Sequence, residues 1–258
     1  MTILVLGSGT SSGVPTIGCG CRVCHSADPR DARLRPSILI QHDYRNIVID
    51  TTPDFRTQVL RERIGHLDAI LFTHSHADHV LGFDDIRSFN AVQGARIPVY
   101  ASAETLEDIR RIFPYVFDNS SRATHIPKIE THDHEGEQFE LFGLRIQPIP
   151  LCHGQQLIYG YRIDGEGIRP AAYLTDHSEI PESSIEMLAG VDVLFVDALR
   201  HRPHPTHSTV ATALQNIERI RPQRAFFTHI CHDLAHAETE ATLPRHVRMA
   251  YDGLHIEV

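Results

Sequence analysis

Three apolar segments of this chain end in the same way, with a threonine followed by a side chain that can bind a metal ion. They are Phe72-Thr-His74, Leu174-Thr-Asp176 and Phe227-Thr-His229, and looser versions are Pro150-Leu-Cys-His153 and Phe195-Val-Asp197. Open α/β sheets present their ligands at the carboxyl ends of the strands, so side chains far apart in sequence can meet at one edge. The pattern therefore predicts strands whose ends converge on one site.

The first of these segments runs into a loop that is rich in histidine. Residues 74–79 read His-Ser-His-Ala-Asp-His, which places three imidazoles and one carboxylate within six residues. A solvated polar loop is the alternative to a metal site. Burying these groups beside a core strand without a cation would leave polar atoms unpaired, so we favour the metal site.

Four donors from one loop are too few for two metal ions. The first two histidines could face one ion, and Asp78 with His79 could face a second ion nearby. The missing donors are predicted at the other strand ends, where Asp176 could bridge both ions. The complete predicted set is His74, His76, Asp78, His79, His153, Asp176 and His229.

Charge and hydrophobicity narrow the classes of protein that fit. The chain carries 33 acidic and 24 basic residues, a net charge of -9, and no run of Lys or Arg that could follow a nucleic-acid backbone. No segment approaches the roughly 18 to 20 consecutive apolar residues of a membrane helix. The sequence begins as a strand without a basic leader. We therefore expect a cytoplasmic protein without a membrane or nucleic-acid partner.

Three of the five cysteines lie close together, in Gly18-Cys-Gly-Cys-Arg-Val-Cys24. An odd number of cysteines in a cytoplasmic chain disfavours a disulfide framework and favours metal ligation. Free or redox-active thiols are the alternative. Cys152 and Cys231 stand apart from the cluster, and we interpret both as small packing residues.

Apolar runs of strand length recur along the whole chain, with helical spacing between them. The runs 38–40 and 47–49 are typical of a hairpin, and Ser208-Thr209 is the predicted N-cap of a helix that ends at 220. Two mixed sheets with helices outside are the economical packing for such elements. We predict a single domain over residues 1–258, with 118–137 as an exposed excursion.

These motifs together resemble the metallo-β-lactamase superfamily. The loop at 74–79 matches its HxHxDH motif, and His153, Asp176 and His229 match its later ligands in order. The resemblance spans nearly the whole chain and implies an α/β fold, a four-layer αββα sandwich, around a dinuclear centre. Histidine and carboxylate ligands suit two Mn²⁺ or Zn²⁺ ions, and Fe²⁺ is also permitted.

Within the superfamily, the chain most resembles the PhnP-type phosphodiesterases of the carbon-phosphorus lyase pathway. The features in common are a glycine-rich turn, Val14-Pro15, and the cysteines Cys19, Cys21 and Cys24. The fourth ligand of that family is a histidine three residues after the last active-site histidine, and His232 occupies this position. The resemblance implies one structural Zn²⁺ in a Cys₃His site, which would tie the loop at 18–25 to the His229 loop. It also implies a homodimer.

The resemblance also indicates residues that act around the metal ions. His207 lies 22 residues before His229, as the catalytic histidine of the family does. The family commonly has Asn before this histidine and Asn-Asp after it, which this chain lacks, and an ordinary histidine at a helix start is the alternative. Asp78 could assist His207 in protonating the leaving group. Asp50 is interpreted as orienting a ligand histidine.

The favoured function is a metal-dependent phosphodiesterase that hydrolyses small sugar-phosphate diesters, cyclic ones included. A hydroxide held between the two ions would attack phosphorus. Arg200 and Arg202 could bind a distal phosphate or could lie in a solvated surface. An RNA-processing nuclease of the same superfamily is the second enzyme class, disfavoured by the negative charge. A non-catalytic metal-binding or carrier protein is the alternative outside enzymes, disfavoured by the complete ligand set.

Overall fold

The chain forms two β-sheets and flanking helices in a computed structural model that describes residues 1–118 and 124–258. The described strands are β1 (Thr2–Gly7), β2 (Ser37–His42), β3 (Arg45–Ile49), β4 (Ala69–Leu71), β5 (Ile97–Ala101), β6 (Ile129–Asp133), β7 (Phe139–Leu141), β8 (Leu144–His153), β9 (Gln156–Gly165), β10 (Ala171–Leu174), β11 (Val193–Asp197), β12 (Arg224–Thr228), β13 (Val247–Met249) and β14 (His255–Glu257). The described α-helices are α1 (Phe55–Arg61), α2 (Ala77–Val80), α3 (Arg87–Gln93), α4 (Ala103–Ile112), α5 (Pro114–Phe117), α6 (Glu182–Met187), α7 (Val210–Ile220) and α8 (His236–Glu240). Among the described residues, no helix has both the length and the apolar character needed to cross a bilayer.

Within the described residues, the two sheets have matching arrangements of seven strands each. The first has the order β14-β1-β2-β3-β4-β5-β6, and the second has the order β13-β12-β11-β10-β9-β8-β7. Strands β3 to β6 pair in parallel in the first sheet, as β10 to β13 do in the second. The other half of each sheet is antiparallel. Because parallel strands end at the same edge, each sheet presents several carboxyl ends together.

The side chains of β1 show how the layers form. Ile3 and Val5 belong to a core shared by the two sheets, whereas Leu4 and Leu6 belong to a core under the helices. Alternate residues of a strand point to opposite faces, so a strand that is buried on both faces has a continuous apolar run. Strand β11 repeats this alternation in the second sheet.

Three apolar cores separate four layers. The central core joins the two sheets, one outer core joins the first sheet to α1, α3 and α4, and the other joins the second sheet to α6 and α7. The predicted four-layer αββα sandwich is therefore confirmed. The central core also supports the single domain over residues 1–258, which stays a prediction.

Two local predictions from the sequence agree with the structure. Strands β2 and β3 form an antiparallel hairpin in which Ile38 lies opposite Ile49. The Thr209 side chain accepts a hydrogen bond from the Thr212 N–H at the start of α7. Both features are local in sequence, which is why pattern and capping chemistry predict them.

The prediction that residues 118–137 form an exposed excursion is wrong for residues 129–133. Ile129–Asp133 forms β6, the edge strand of the first sheet. Only Ile129 of this strand is buried, so the alternation of apolar residues that would reveal a strand is missing, as edge strands permit. Residues 119–123 of the excursion lie outside the described residues.

Gly82 provides a test of the packing of the segment after α2 against the start of α1. A β-carbon at Gly82 would lie 2.0 Å from the Thr52 carbonyl oxygen and 2.7 Å from Phe55 Cβ. We expect Gly82→Ala to lower the free energy of unfolding by about 1–3 kcal/mol, because packed backbone has to shift. Urea unfolding measures this change. Gly65→Ala is the matched control, since a β-carbon there meets nothing within 4 Å. Equal stability of the two variants would contradict close packing at Gly82.

Candidate metal centre

The predicted ligands lie at strand ends of both sheets. Strand β4 leads into the loop that begins with His74, β8 ends at His153, and β10 and β12 are followed by Asp176 and His229. The φ angles of Asp176 and His229 are 58° and 56°. Residues with a side chain rarely adopt this left-handed conformation, and it is concentrated at functional sites.

The first group of ligands consists of three histidines. A ligating nitrogen of each of His74, His76 and His153 lies within 4.8 Å of the others. The ring centroid of His76 lies 4.6 Å from that of His74 and 5.0 Å from that of His153. His74 and His153 are buried, whereas His76 is exposed. The group therefore opens to solvent on the side of His76.

The second group consists of Asp78, His79, Asp176 and His229, whose ligating atoms also lie within 4.8 Å of one another. Asp176 Oδ2 lies 3.2 Å from His79 Nε2 and 3.1 Å from His229 Nε2. The same oxygen lies 4.0 Å from His74 Nε2 in the first group. One carboxylate therefore stands between the two groups, where a ligand shared by two ions would have to lie.

The orientation of the rings fits metal ligation. His79 Nδ1 lies 2.7 Å from Asp50 Oδ2, as expected for Asp50, and His153 Nδ1 lies 2.8 Å from the Thr206 carbonyl oxygen. These contacts assign the ring proton to Nδ1 and leave the Nε2 lone pair for a metal ion. Several buried atoms have no hydrogen-bond partner among the described residues, namely His74 Nε2, Asp78 Oδ2, His79 Nε2 and His229 Nε2. Since buried polar atoms are rarely left unpaired, these residues fit divalent cations.

The carboxylates and imidazoles of the second group hold each other in charged states. Burial alone would raise the pKa of Asp176, but the imidazoles of His229 and His79 lower it well below its usual value. Burial acts to lower the pKa of His229, whereas the Asp176 carboxylate raises it to about 10. The buried carboxylates thus require positive charge, which protons or divalent cations can supply.

His207 lies against the second group and pairs with a buried carboxylate. Its Nδ1 lies 2.9 Å from Asp197 Oδ2, and its ring stacks on that of His229 with centroids 4.6 Å apart. Burial lowers the pKa of His207 to about 4, so the imidazole is neutral near pH 7. The Asp197 contact leaves His207 Nε2 available for proton exchange.

Sequence reasoning did not assign two of the groups that orient these histidines. Asp197 appears there only as a loose member of the strand-end pattern, and its pairing with His207 depends on how the segment between β11 and α7 folds back. Thr206 contributes a backbone carbonyl, which every residue has, so no side-chain motif reveals it. Both groups were therefore found only in the folded chain.

Arg200 and Arg202 make contacts within their own part of the surface. Arg200 donates hydrogen bonds to the carbonyl oxygens of Arg202 and Pro203. Arg202 Nη2 lies 2.8 Å from Asp233 Oδ2, and the Arg202 side chain is largely exposed. These contacts indicate that the two arginines stabilise a solvated loop, and they do not favour the binding of a distal phosphate.

The three clustered cysteines meet His232, as the resemblance implies. The Sγ atoms of Cys19, Cys21 and Cys24 lie 3.1, 3.5 and 3.5 Å from His232 Nδ1, and all four ligand atoms lie within 4.8 Å of one another. Tetrahedral Zn²⁺ binds sulfur at about 2.3 Å and nitrogen at about 2.1 Å, which requires ligand separations of this order. Cys231 is buried outside the group, in agreement with a packing role.

The cysteine group and the ligand His229 share one loop. Ile230, which follows His229, donates its N–H to the Ser8 carbonyl oxygen at 3.0 Å and accepts from the Thr10 N–H at 3.1 Å. The glycine-rich turn therefore holds one end of this loop, and His232 holds the other end against the cysteines. Ordering the cysteine group is expected to order His229 as well.

Cys21→Ala tests the structural site. We expect this variant to bind less Zn²⁺ than the wild type and to unfold at a lower temperature, because only three of the four predicted ligands remain. Elemental analysis and thermal unfolding of the purified protein measure the two effects. Cys152→Ala removes a cysteine outside the group and should keep both the zinc and the stability. Wild-type zinc content in Cys21→Ala would contradict a structural zinc site.

Comparisons with known proteins agree with this geometry. The family model described as the beta-lactamase superfamily domain matches residues 45–230. A crystal structure described as a new diphosphatase from the PhnP family is 49% identical in sequence. It superimposes with a TM-score of 0.92 and covers 100% of this chain and 97% of that chain.

Two further relatives differ in length or are less similar. An octanoyltransferase of Porphyromonas gingivalis is 40% identical over 258 residues, which are 98% of this chain and 51% of the relative. This chain therefore spans about half the length of that relative. The activity of the longer protein is not assigned to this chain. Coenzyme PQQ synthesis protein B of Methylorubrum extorquens is 27% identical over 222 residues, 76% of this chain and 72% of the relative. With its strand-end ligands, four-layer sandwich and family match, the chain belongs to the metallo-β-lactamase superfamily of hydrolases.

Proposed function

We propose that this chain is a metal-dependent phosphodiesterase that acts on a small phosphate ester. The observation that carries the proposal is the position of Asp176 Oδ2 between the two ligand groups, 4.0 Å from His74 Nε2 and 3.1 Å from His229 Nε2. Paired divalent cations a few ångströms apart are a recurring arrangement in enzymes that cleave phosphate esters. Similarity to a PhnP-family diphosphatase supports phosphorus as the reacting atom.

Two divalent cations, Mn²⁺ or Zn²⁺ with Fe²⁺ also suited, would polarise a phosphoryl oxygen and acidify water when bound. The residues that would hold them are His74, His76 and His153 for one ion, Asp78, His79 and His229 for the other, and Asp176 for both. Asp50 and Thr206 keep two of the ligand rings in position. A further Zn²⁺ at the cysteine group would have a structural role.

In this proposal, His207 is the residue that moves a proton. Asp197 holds the ring through Nδ1, so in the imidazolium form Nε2 carries the proton that can pass to the oxygen that leaves phosphorus. Burial keeps His207 neutral in the free protein, and the carboxylate of Asp78 acts in the opposite direction on its pKa. The negative charge of a bound phosphate would favour the imidazolium further, and so would prepare the proton for transfer.

The proposed reacting centre and the charge of the chain support two candidate substrate classes. Small diesters, cyclic sugar phosphates included, are the first candidate class. A diphosphate linkage is the second, favoured by the similarity to the PhnP-family diphosphatase. An RNA substrate is disfavoured by the net charge of -9. A non-catalytic carrier role is disfavoured because all seven predicted ligands lie in the two groups.

Metal removal tests the proposed function. We expect the protein to hydrolyse bis(p-nitrophenyl) phosphate, to lose this activity on chelation, and to regain it with Mn²⁺ or Zn²⁺. Substituting a residue that only orients a metal ligand lowers metal affinity or activity by about 10–100-fold. Asp176 is itself a predicted ligand, so Asp176→Asn should lower turnover by at least about 100-fold and release active-site metal. Asp43→Asn on an exposed turn is the matched control. Full activity after complete chelation would refute the proposal.

A panel of substrates separates the candidate classes. Cyclic ribose phosphates, dinucleoside diphosphates and structured RNA can be compared by kcat/KM under the same metal conditions. The proposal expects the small diesters or diphosphates to be cleaved and the RNA to remain intact. Preferential cleavage of RNA would assign the chain to the nuclease class instead.

The leaving group tests the role of His207. We expect His207→Ala to lower kcat by about 10²–10⁴-fold for diesters with an alkyl leaving group, which needs a proton. A p-nitrophenolate leaving group needs none, so its release should be much less affected. Asp197→Asn should show the same dependence with a smaller loss, and both variants should retain metal. An equal loss for both leaving groups would contradict proton donation by His207.

A further inference from the structure

The loop between β11 and α7, residues 200–209, is braced by hydrogen bonds at its base. The Val210 N–H donates to the Arg200 carbonyl oxygen at 3.0 Å, which closes the loop. The Ser208 hydroxyl donates to the His177 carbonyl oxygen at 3.0 Å, which fastens the loop to the segment after β10. Side chains on this loop are therefore held in position beside the metal centre.

His204 belongs to this loop, and one nitrogen of its ring has a defined partner. The Thr206 N–H donates to His204 Nδ1 at 3.3 Å, and the Thr206 hydroxyl lies 3.2 Å from the same nitrogen. A backbone N–H can only donate, so Nδ1 is the unprotonated nitrogen and the neutral ring carries its proton on Nε2. Within residues 1–118 and 124–258, His204 Nε2 has no hydrogen-bond partner. The ring thus offers a free N–H donor.

The His204 ring is connected to the metal centre through His207. The centroids of the His204 and His207 rings lie 4.8 Å apart. The His207 ring in turn lies 4.6 Å from that of His229 and 4.9 Å from that of His153, centroid to centroid. His229 and His153 are buried, whereas His204 is half-buried. A molecule that is bound at His207 and extends to solvent therefore comes within reach of His204.

We propose that His204 determines substrate specificity by donating its Nε2–H to a phosphoryl oxygen on the leaving portion of the substrate. The inference rests on the proposed function, which puts the reacting phosphorus at the metal ions and the leaving oxygen at His207. Hydrogen bonds to charged acceptors are stronger than those to neutral ones. Arg200 and Arg202 of the same loop have partners within the chain, whereas His204 Nε2 has none.

This role of His204 distinguishes between the two candidate substrate classes. When a diphosphate linkage is cleaved, the leaving portion is itself a phosphate and carries charged oxygens. When a simple diester is cleaved, the leaving portion is an alcohol or a phenol, and the donor of His204 has no phosphoryl oxygen to bind. The inference therefore favours diphosphate linkages as the substrates that the site binds best.

A purely structural role is the competing explanation for His204. The Thr206 carbonyl oxygen lies 2.8 Å from Nδ1 of the ligand His153, so His204 could act only by holding Thr206 in place. Its loss would then weaken metal binding and affect all substrates equally. The test variant therefore has to keep the contact with Thr206 and remove only the free donor.

His204→Asn meets this requirement, because the amide oxygen can accept from Thr206 whereas no donor reaches the position of Nε2. We expect the KM of the metal-loaded full chain for diadenosine diphosphate to rise by at least about tenfold, as for a lost hydrogen bond to a charged group. The KM for bis(p-nitrophenyl) phosphate should stay within about twofold, because its leaving group has no phosphoryl oxygen. The variant should also retain active-site metal.

Binding of an uncleavable ligand provides a readout apart from turnover. The methylene-bridged analogue of diadenosine diphosphate keeps both phosphoryl groups, and calorimetry measures its Kd. This Kd should rise by at least about tenfold in His204→Asn and return to within about threefold of the wild type in His204→Gln, whose longer amide restores an N–H donor. His201→Asn is the matched control, since it alters an exposed histidine of the same loop and should change neither constant.

Three outcomes would overturn the inference. An unchanged Kd for the analogue, an equal rise of both KM values, or loss of active-site metal from His204→Asn would each contradict substrate binding by His204. A wild type that cleaves bis(p-nitrophenyl) phosphate but not diadenosine diphosphate would overturn this inference and leave the proposed function intact. Absence of metal-dependent turnover of either substrate would overturn both.

Discussion

The buried carboxylate of Asp176 is the constraint on which the whole site depends. Its Oδ2 lies within 3.2 Å of nitrogens from two different strand ends, and the side chain is 3% exposed. An uncompensated charge at such a depth would cost several kcal/mol, so positive charge has to surround it. The imidazoles of His79 and His229 can supply this positive charge. Divalent cations bound by the same residues can supply it as well. The remaining structure holds these groups in place.

The matching sheets explain how ligands from distant parts of the chain arrive together. Each sheet has one parallel half, and the ends of these halves carry His74, Asp176 and His229. The apolar core between the sheets keeps the two sets of strand ends at a constant separation. Ligands on strands of a packed core are positioned more precisely than ligands on free loops. Asp50 and Thr206 then set the direction of individual rings.

The two metal-binding groups have different surroundings that match different roles. The first histidine group opens to solvent at His76, as a catalytic site requires for entry of a substrate. The cysteine group instead offers four protein ligands, which is the composition of a closed structural site. Because His229 of the second ligand group and His232 of the cysteine group share one loop, we expect ordering of the cysteine group to help order His229.

The sequence by itself determined the features that depend on neighbouring residues. Apolar runs predicted most strands, and the loop at 74–79 with its strand-end companions identified the ligand types. The edge strand at Ile129–Asp133 was not predicted, because a strand with a single buried side chain shows no alternation of apolar residues. Only the tertiary structure decided that Asp197 pairs with His207, that a Thr206 carbonyl orients His153, and that Arg200 serves its own loop. These contacts join groups across the packed sheets and loops, where distance depends on the fold and not on spacing along the chain.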